Sequence, residues 1–437
     1  LTSSATRPAH PVRPGSRRVD VRDRLWRGIQ TVCVLSGVDP VIDAEALRTA
    51  LLRLHDDTPS ARALCRFDGA SGRWTPVPAE QMADWLRRLV VDARGRAPRA
   101  PADVAEQLLR EPCDERPFVV TVGDGWQAWQ VHHVLGDGTF AVAELIPGLL
   151  RAAADASVPN GLARAESALA RPLLRASWDT LVREPQWQTW RTAVARVSRR
   201  RGRAPREGSG GPASELGLVV AHGAPDSVAL LRQWAEAHHP GVSVAVLMMA
   251  AARIALEEHG VVGPTTDSVV MYDLRRYLPR RSHVEGNFAG ALRLEDPSCR
   301  DPRRMGDQIR GDAALGLPLV SLLAATAGET LAPAVGLASR FRPERPSAGP
   351  VVLTHLGAAT PLRRLPWDPR EAHRGVITAA APAALAGVTA TTSEWDRTLQ
   401  VAISFGGSVA SRDAVAAAAD DLVCRPWDLL AGTAVTR

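Results

Sequence analysis

Apolar positions along the 437-residue chain change period repeatedly, and the changes predict a mixture of strands and helices. Gly28 to Leu35 (GIQTVCVL) reads as a strand. From Asp43 to His55, Leu47, Ala50, Leu51 and Leu54 recur at i, i+3, i+4 and i+7, the spacing of an amphipathic helix with Asp43 as its cap. Ala61 to Phe67 (ARALCRF) alternates like a strand, DGASG turns the chain, and a second short strand runs through Trp74. Phe118 to Val122 and Trp126 to Val131 predict a hairpin closed by Gly123-Asp124-Gly125, with the second strand ending at His132. His133 to Gly138 is then a loop. Thr139 to Ala152 reads as a helix with Phe140, Ala143 and Ile146 on one side, which Pro147 should kink or interrupt.

The later part repeats the mixture. Ser243 to His259 is apolar nearly all round, which predicts a buried helix capped by Ser243 and ended by Gly260. Ser268 to Leu274, Gly290 to Leu294, Gly349 to Leu353 and Leu399 to Ser404 read as strands, and Arg412 to Leu422 as a closing helix. Between them, residues 187–215 are poor in apolar positions and rich in Arg, Gly and Pro. The chain therefore divides into 1–186, a linker over 187–215, and 216–437.

Composition narrows the chemistry. No lysine occurs, so neither a Schiff-base lysine nor a P-loop lysine is present, and no Gly-rich phosphate loop follows a strand. The five cysteines are scattered without metal-ligand spacing, so free thiols and no structural metal are expected. A net charge of +6 favours anionic partners such as nucleic acid, coenzyme A phosphates or an acidic carrier protein. The cluster Arg199, Arg200, Arg201, Arg203 and Arg206 lacks interleaved aromatic residues, which argues for a solvated linker over a nucleic-acid surface. No apolar run reaches the roughly 18 residues of a membrane helix. The polar segment Leu1 to Arg24 lacks the apolar core of a secretory signal, so no membrane span and a cytoplasmic location are expected.

The segment richest in chemistry is His132-His133-Val134-Leu135-Gly136-Asp137-Gly138, which puts two imidazoles, an acid and glycines at the end of a strand. It resembles the HHxxxDG motif of nonribosomal peptide synthetase condensation domains, polyketide-associated acyltransferases and wax ester synthases. VIDAEALRTALLRLHDDTPSARALCRF near the start, Tyr272-Asp273-Leu274-Arg275-Arg276 and Gly286-Asn287-Phe288-Ala289-Gly290 are similar to further segments of that family. The resemblance implies an α/β fold of two chloramphenicol acetyltransferase-like subdomains in a V, each a mixed sheet with helices, with the active-site tunnel between them. It also implies acyl transfer from a coenzyme A or carrier-protein phosphopantetheine thioester to a hydroxyl or amine, with no permanently bound cofactor and no covalent acyl-enzyme.

Acyl transfer needs a base, because a hydroxyl or ammonium is a poor nucleophile until it loses a proton; a neutral imidazole serves at pH 7. By the resemblance, His133 is that base. Asp137 is structural, with Arg275 as the partner that neutralises it; His132 supports the loop, and Gly138 lets the backbone turn into the helix. Thr354 is put forward as an oxyanion donor. No G-x-S-x-G elbow and no cysteine in a nucleophile context is present.

Two departures bear on substrate. Arg397 to Phe405 does not reproduce the RDxSRNP ending of peptide-forming domains, and DFGWG is absent, which leaves stand-alone acyltransferases as the nearest group. Twelve tryptophans could line an aromatic or lipidic acceptor tunnel, although most tryptophans serve as core or surface packing residues. The alternative reading is a non-catalytic condensation-like docking module that recruits partner enzymes to a carrier-bound chain. Such modules tend to carry degraded motifs, whereas His132, His133, Asp137 and Gly138 are all in place.

Overall fold

Two sheets carry the architecture, each built around a hairpin that the chain alternation encodes. A computed structural model describes residues 15–38, 42–97, 99–159, 162, 170–178, 216–279, 284, 286–295, 298–334, 349–370, 374–382 and 387–431. The first sheet has five strands in the order Gly375–Ala380, Gln30–Ser36, Trp126–His132, Phe118–Gly123, Val90–Asp92. Its pairs are antiparallel except the last, which is parallel. The Phe118–Gly123 and Trp126–His132 hairpin is closed as expected, with Gly125 at φ +78°.

The second sheet has six strands, in the order Ala289–Leu294, Ser268–Asp273, Val351–His355, Val388–Trp395, Thr398–Gly406, Leu216–His222. The two pairs made by Val351–His355 are parallel and the others antiparallel. The fold is thus α/β with mixed sheets. A strand from late in the chain completes the first sheet: Gly375–Ala380 runs antiparallel to Gln30–Ser36, Thr378 opposite Cys33. A cut at residue 216 therefore does not separate the two sheets. The expected linker, 187–215, lies outside the described residues.

The helices form where the periodicity places them. Ala44–Asp57 buries Leu47, Leu51 and Leu54, and Asp43 caps it by accepting from the Ala46 N–H at 2.7 Å. Each such leucine contributes roughly 1.5–3 kcal/mol by leaving water. Val244–Glu258 is buried along most of its length, capped by Ser243, with Gly260 at φ +67° just beyond it. Ala79–Leu89 and Pro101–Arg110 add amphipathic helices to the first half.

One local expectation changes and another holds. Ala61 to Phe67 is not one strand: Arg62–Leu64 is a 3-10 turn, buried throughout, and the strand is only Arg66–Asp68, paired with Arg73–Thr75. The α-helix after the HHxxxDG segment is interrupted just ahead of Pro147, as expected. It runs as Gly138–Phe140, a π turn over Ala141–Leu145, and Ile146–Asp155; the wider turn accommodates a residue that has no N–H to donate.

One core lies around the first sheet, including Trp74, Trp85 and Trp129, and a second around the buried helix of the second sheet. A third cluster joins them: Val32, Val34, Ala128, Ile377 and Ala379 of the five-stranded sheet pack with Leu218 and Ala402 of the six-stranded one. Among the described residues, no single helix is long and apolar enough to cross a membrane.

Candidate active site

Strand Trp126–His132 delivers the two histidines to where the two sheets meet. His132 pairs with Gln30, and the His133 N–H donates to the Ile29 carbonyl at 2.9 Å, which fixes the backbone on both sides of the motif. A cavity of about 530 Å³ opens beside His133. Thr31 and Thr378 border it from the five-stranded sheet, and Tyr272, Thr354 and Thr391 from the six-stranded sheet.

The two imidazoles have different surroundings. His132 turns into the first core, edge-on to Phe67, with ring centroids 4.7 Å apart. Its Nδ1 accepts from the Val134 N–H at 3.2 Å, and burial, aided by the neighbouring His133, pushes its pKa down to about 4. At neutral pH this ring is therefore uncharged.

His133 borders the cavity and stacks on Trp26, with centroids 4.2 Å apart and planes 9° from parallel. Its Nδ1 lies 2.8 Å from Asn287 Oδ1. The Asn287 amide NH₂ faces two acceptors, the His133 carbonyl at 2.7 Å and Asp23 Oδ1 at 2.9 Å, so the opposite end of the amide is the oxygen. His133 Nδ1 must then carry the proton and donate it to Asn287, which leaves the lone pair on Nε2. Among the described residues no side chain or backbone group bonds to Nε2. Burial holds the His133 pKa below its ordinary value, against the raising pull of Asp137, of a hydrogen bond with its own backbone and of the Asn287 bond, so the ring is uncharged at neutral pH.

Asp137 borders the cavity as well, and its carboxylate oxygens are occupied by a set of donors. Arg275 reaches it twice, Nη1 to Oδ2 at 2.8 Å and Nη2 to Oδ1 at 3.3 Å. The Phe140 and Phe288 N–H groups donate to it at 2.9 Å each. Burial alone would raise its pKa, but Arg275 and these donors outweigh burial and hold it below the usual carboxylate range. Arg275 also donates to Asp273 and to the Val284 and Gly286 carbonyls. The ion pair thus ties the HHxxxDG loop to the second half.

Gly138 borders the cavity and stands where the chain enters the helix after the loop. It is the first residue of a helical turn, not a left-handed position, and an added Cβ would sit 3.5 Å from Leu356, an ordinary contact. The glycine that sterics demand is Gly136, whose Cβ would fall 2.3 Å from the Phe140 ring. Of the described tryptophans, Trp26 alone borders this cavity, while Trp74, Trp85 and Trp129 pack in the core; the cavity wall is mostly alanine, threonine and small aliphatic side chains. Cys33 borders it too, but burial pushes that thiol up to about 12, so it stays protonated at neutral pH.

Sequence reasoning missed Asp23, Trp26, Arg62 and His355. Asp23 is fully buried and bonded to Arg62 at 3.0 Å and to Asn287. The alternation of arginine and acid in VRDRLW is its sequence signal. His355 borders the cavity on the far sheet beside Thr354; its Nδ1 is 2.9 Å from Thr392 Oγ1, which itself donates to the Thr354 carbonyl. Its other nitrogen is 3.7 Å from Glu394, whose pKa is lowered first by His355 and also by Arg232.

No protein-family model and no curated protein sequence matches the chain. Solved structures do match, over nearly the whole chain. The trichothecene 15-O-acetyltransferase TRI3 from Fusarium sporotrichioides superposes with a TM-score of 0.63 at 11% identity, covering 95% of each chain. Polyketide synthase associated protein 5 from Mycobacterium tuberculosis gives 0.59 at 13% identity, covering 94% of this chain and 98% of that one. The first condensation domain of the CDA synthetase gives 0.58 at 14% identity, covering 96% and 97%. The chain therefore has the chloramphenicol acetyltransferase-like fold that condensation domains and this acetyltransferase share.

Proposed function

We propose that the protein is an acyltransferase in which His133 is the general base. The observation that carries this is the free Nε2 lone pair of a neutral, buried imidazole beside a cavity bordered by both sheets. The donor is a thioester of coenzyme A or of a carrier-protein phosphopantetheine, and the acceptor is a hydroxyl or amine of a small molecule. His133 Nε2 takes the acceptor proton as its oxygen or nitrogen attacks the thioester carbonyl carbon. The tetrahedral intermediate collapses with loss of the C–S bond, and the imidazolium returns its proton to the departing thiolate, giving ester or amide and free thiol. Thr354 is our candidate for an oxyanion donor. The raised pKa of Cys33 favours direct transfer over a covalent acyl-enzyme.

A non-catalytic docking role predicts binding of carrier-bound chains without turnover. The intact ring of contacts around His133 favours the enzyme. Incubation with a panel of acyl-coenzyme A and acyl-carrier thioesters plus alcohol and amine acceptors, followed by thiol titration and product mass, separates the two. Acylated product supports the enzyme; tight carrier binding with no product on any pair supports docking.

A further inference from the structure

The buried groups behind His133 form a chain that the acyl-transfer reading does not use. Asn287 has no solvent exposure and lies in the GNF segment after the second-half strand Ser268–Asp273. Its three side-chain bonds leave no freedom: Oδ1 on His133 Nδ1, Nδ2 on the His133 carbonyl and on Asp23. Its backbone N–H also donates to Asp23 Oδ1 at 2.9 Å. Asp23 in turn is clamped by Arg62 from the other side. Gly286, at φ +75°, allows this approach, since a Cβ there would lie 3.0 Å from both Asp23 carboxylate oxygens.

We propose that Asn287 and Asp23 are positioning residues that lock His133 as its Nδ1–H tautomer, aim the Nε2 lone pair at the cavity, and stabilise the imidazolium as it forms. The argument is one of hydrogen-bond parity. Asp23 is held as an acceptor by Arg62, so the amide end of Asn287 must face it. The carbonyl end must then face His133, and a carbonyl accepts only from an N–H. Rotating the amide would set its oxygen against two acceptors, the Asp23 carboxylate and the His133 carbonyl. When Nε2 gains a proton, the new positive charge sits one amide away from the Asp23 carboxylate, through a dipole already pointing the right way and in surroundings of low dielectric. Trp26, stacked flat on the ring, offers the cation its π face from a second direction.

The test has a spectroscopic and a kinetic arm. With ¹⁵N-imidazole labelling of the whole protein at pH 7.5, long-range ¹H–¹⁵N correlation should show His133, assigned by its loss in His133→Ala, with Nδ1 protonated and Nε2 bare. A His133 found protonated at Nε2 overturns the proposal without need of any variant. Asp23→Asn and Asn287→Leu should each give a mixture of tautomers or the Nε2–H form. Loss of the outer partner of a metal-ligating histidine costs about 10- to 100-fold, and a kcat loss of about that order with little change in acceptor KM is expected for Asp23→Asn. An unaltered tautomer and unaltered kcat in a folded Asp23→Asn would refute the role. The kinetic arm rests on the acyl-transfer reading and the spectroscopic arm does not. Full thiol release by His133→Ala would therefore sink that reading while leaving the tautomer result to stand or fall alone.

Discussion

Asp137 and Arg275 form a two-bonded ion pair across 138 residues of sequence, with Nη1–Oδ2 at 2.8 Å and Nη2–Oδ1 at 3.3 Å. Both side chains are largely buried, at 8% and 16% exposure, so neither can turn to water if its partner is lost.

Asp137→Ala should therefore destabilise the fold strongly. Breaking a buried pair from one side costs roughly 3–5 kcal/mol, because the remaining charge is stranded. Urea unfolding of Asp137→Ala, Arg275→Met and the double variant checks this: the double variant should be less destabilised than the sum of the singles. Additive effects would mean that the pair contributes no coupling.

Two glycines in the same loop should behave oppositely. Gly136→Ala drives a methyl group into the Phe140 ring, and overpacking of this kind costs about 1–3 kcal/mol. Gly138→Ala meets only Leu356 at contact distance and should leave thermal stability nearly unchanged. A large loss for Gly138→Ala, with Gly136→Ala tolerated, would show that the loop packs differently.

Acid should weaken the fold through His132. Its pKa falls from an ordinary value of about 6.5 to about 4 on folding, so between these values the unfolded chain binds the extra proton. Stability then declines as pH drops through that window, by about 3 kcal/mol for this residue in full. Asp23, raised by burial, acts in the opposite sense on acidification, which makes the comparison with a variant essential. His132→Asn keeps an acceptor for the Val134 N–H and should flatten the decline in urea midpoints between pH 7 and pH 4.5. An identical slope in that variant would assign the acid sensitivity elsewhere.

Activity should persist well into mild acid for a related reason. His133 is held below its ordinary pKa chiefly by burial, so the base stays uncharged as pH falls past about 6.5. The acid limb of kcat/KM should lie below that value. A limb above it would mean that the titrating base is not this imidazole.

What could be read from the chain was local. The helix Ala44–Asp57, the hairpin ending at His132 and the capped helix Val244–Glu258 follow from periodicity and turn chemistry, which act over a few residues. The Asp137–Arg275 pairing was accessible because a buried acid needs a cation, and the family resemblance points to one. Asn287 and Asp23 were not legible, since their meaning comes from contacts 154 and 264 residues apart. Strand Gly375–Ala380 was missed for the same reason: GVITAA is a short apolar run whose partner, Gln30–Ser36, lies at the opposite end of the chain. The cavity wall could not be read as one site, because it is assembled from strands of both sheets, the helix after the motif and the loop from Leu356 to Pro361.

The base assignment is tested most directly by the rate of free thiol release from an accepted thioester and acceptor, wild type against His133→Ala, with both shown to be folded. A loss of roughly 10²–10⁴-fold in kcat is expected from removal of a general base. Thiol and product appearing at the wild-type rate without the His133 imidazole would contradict the account.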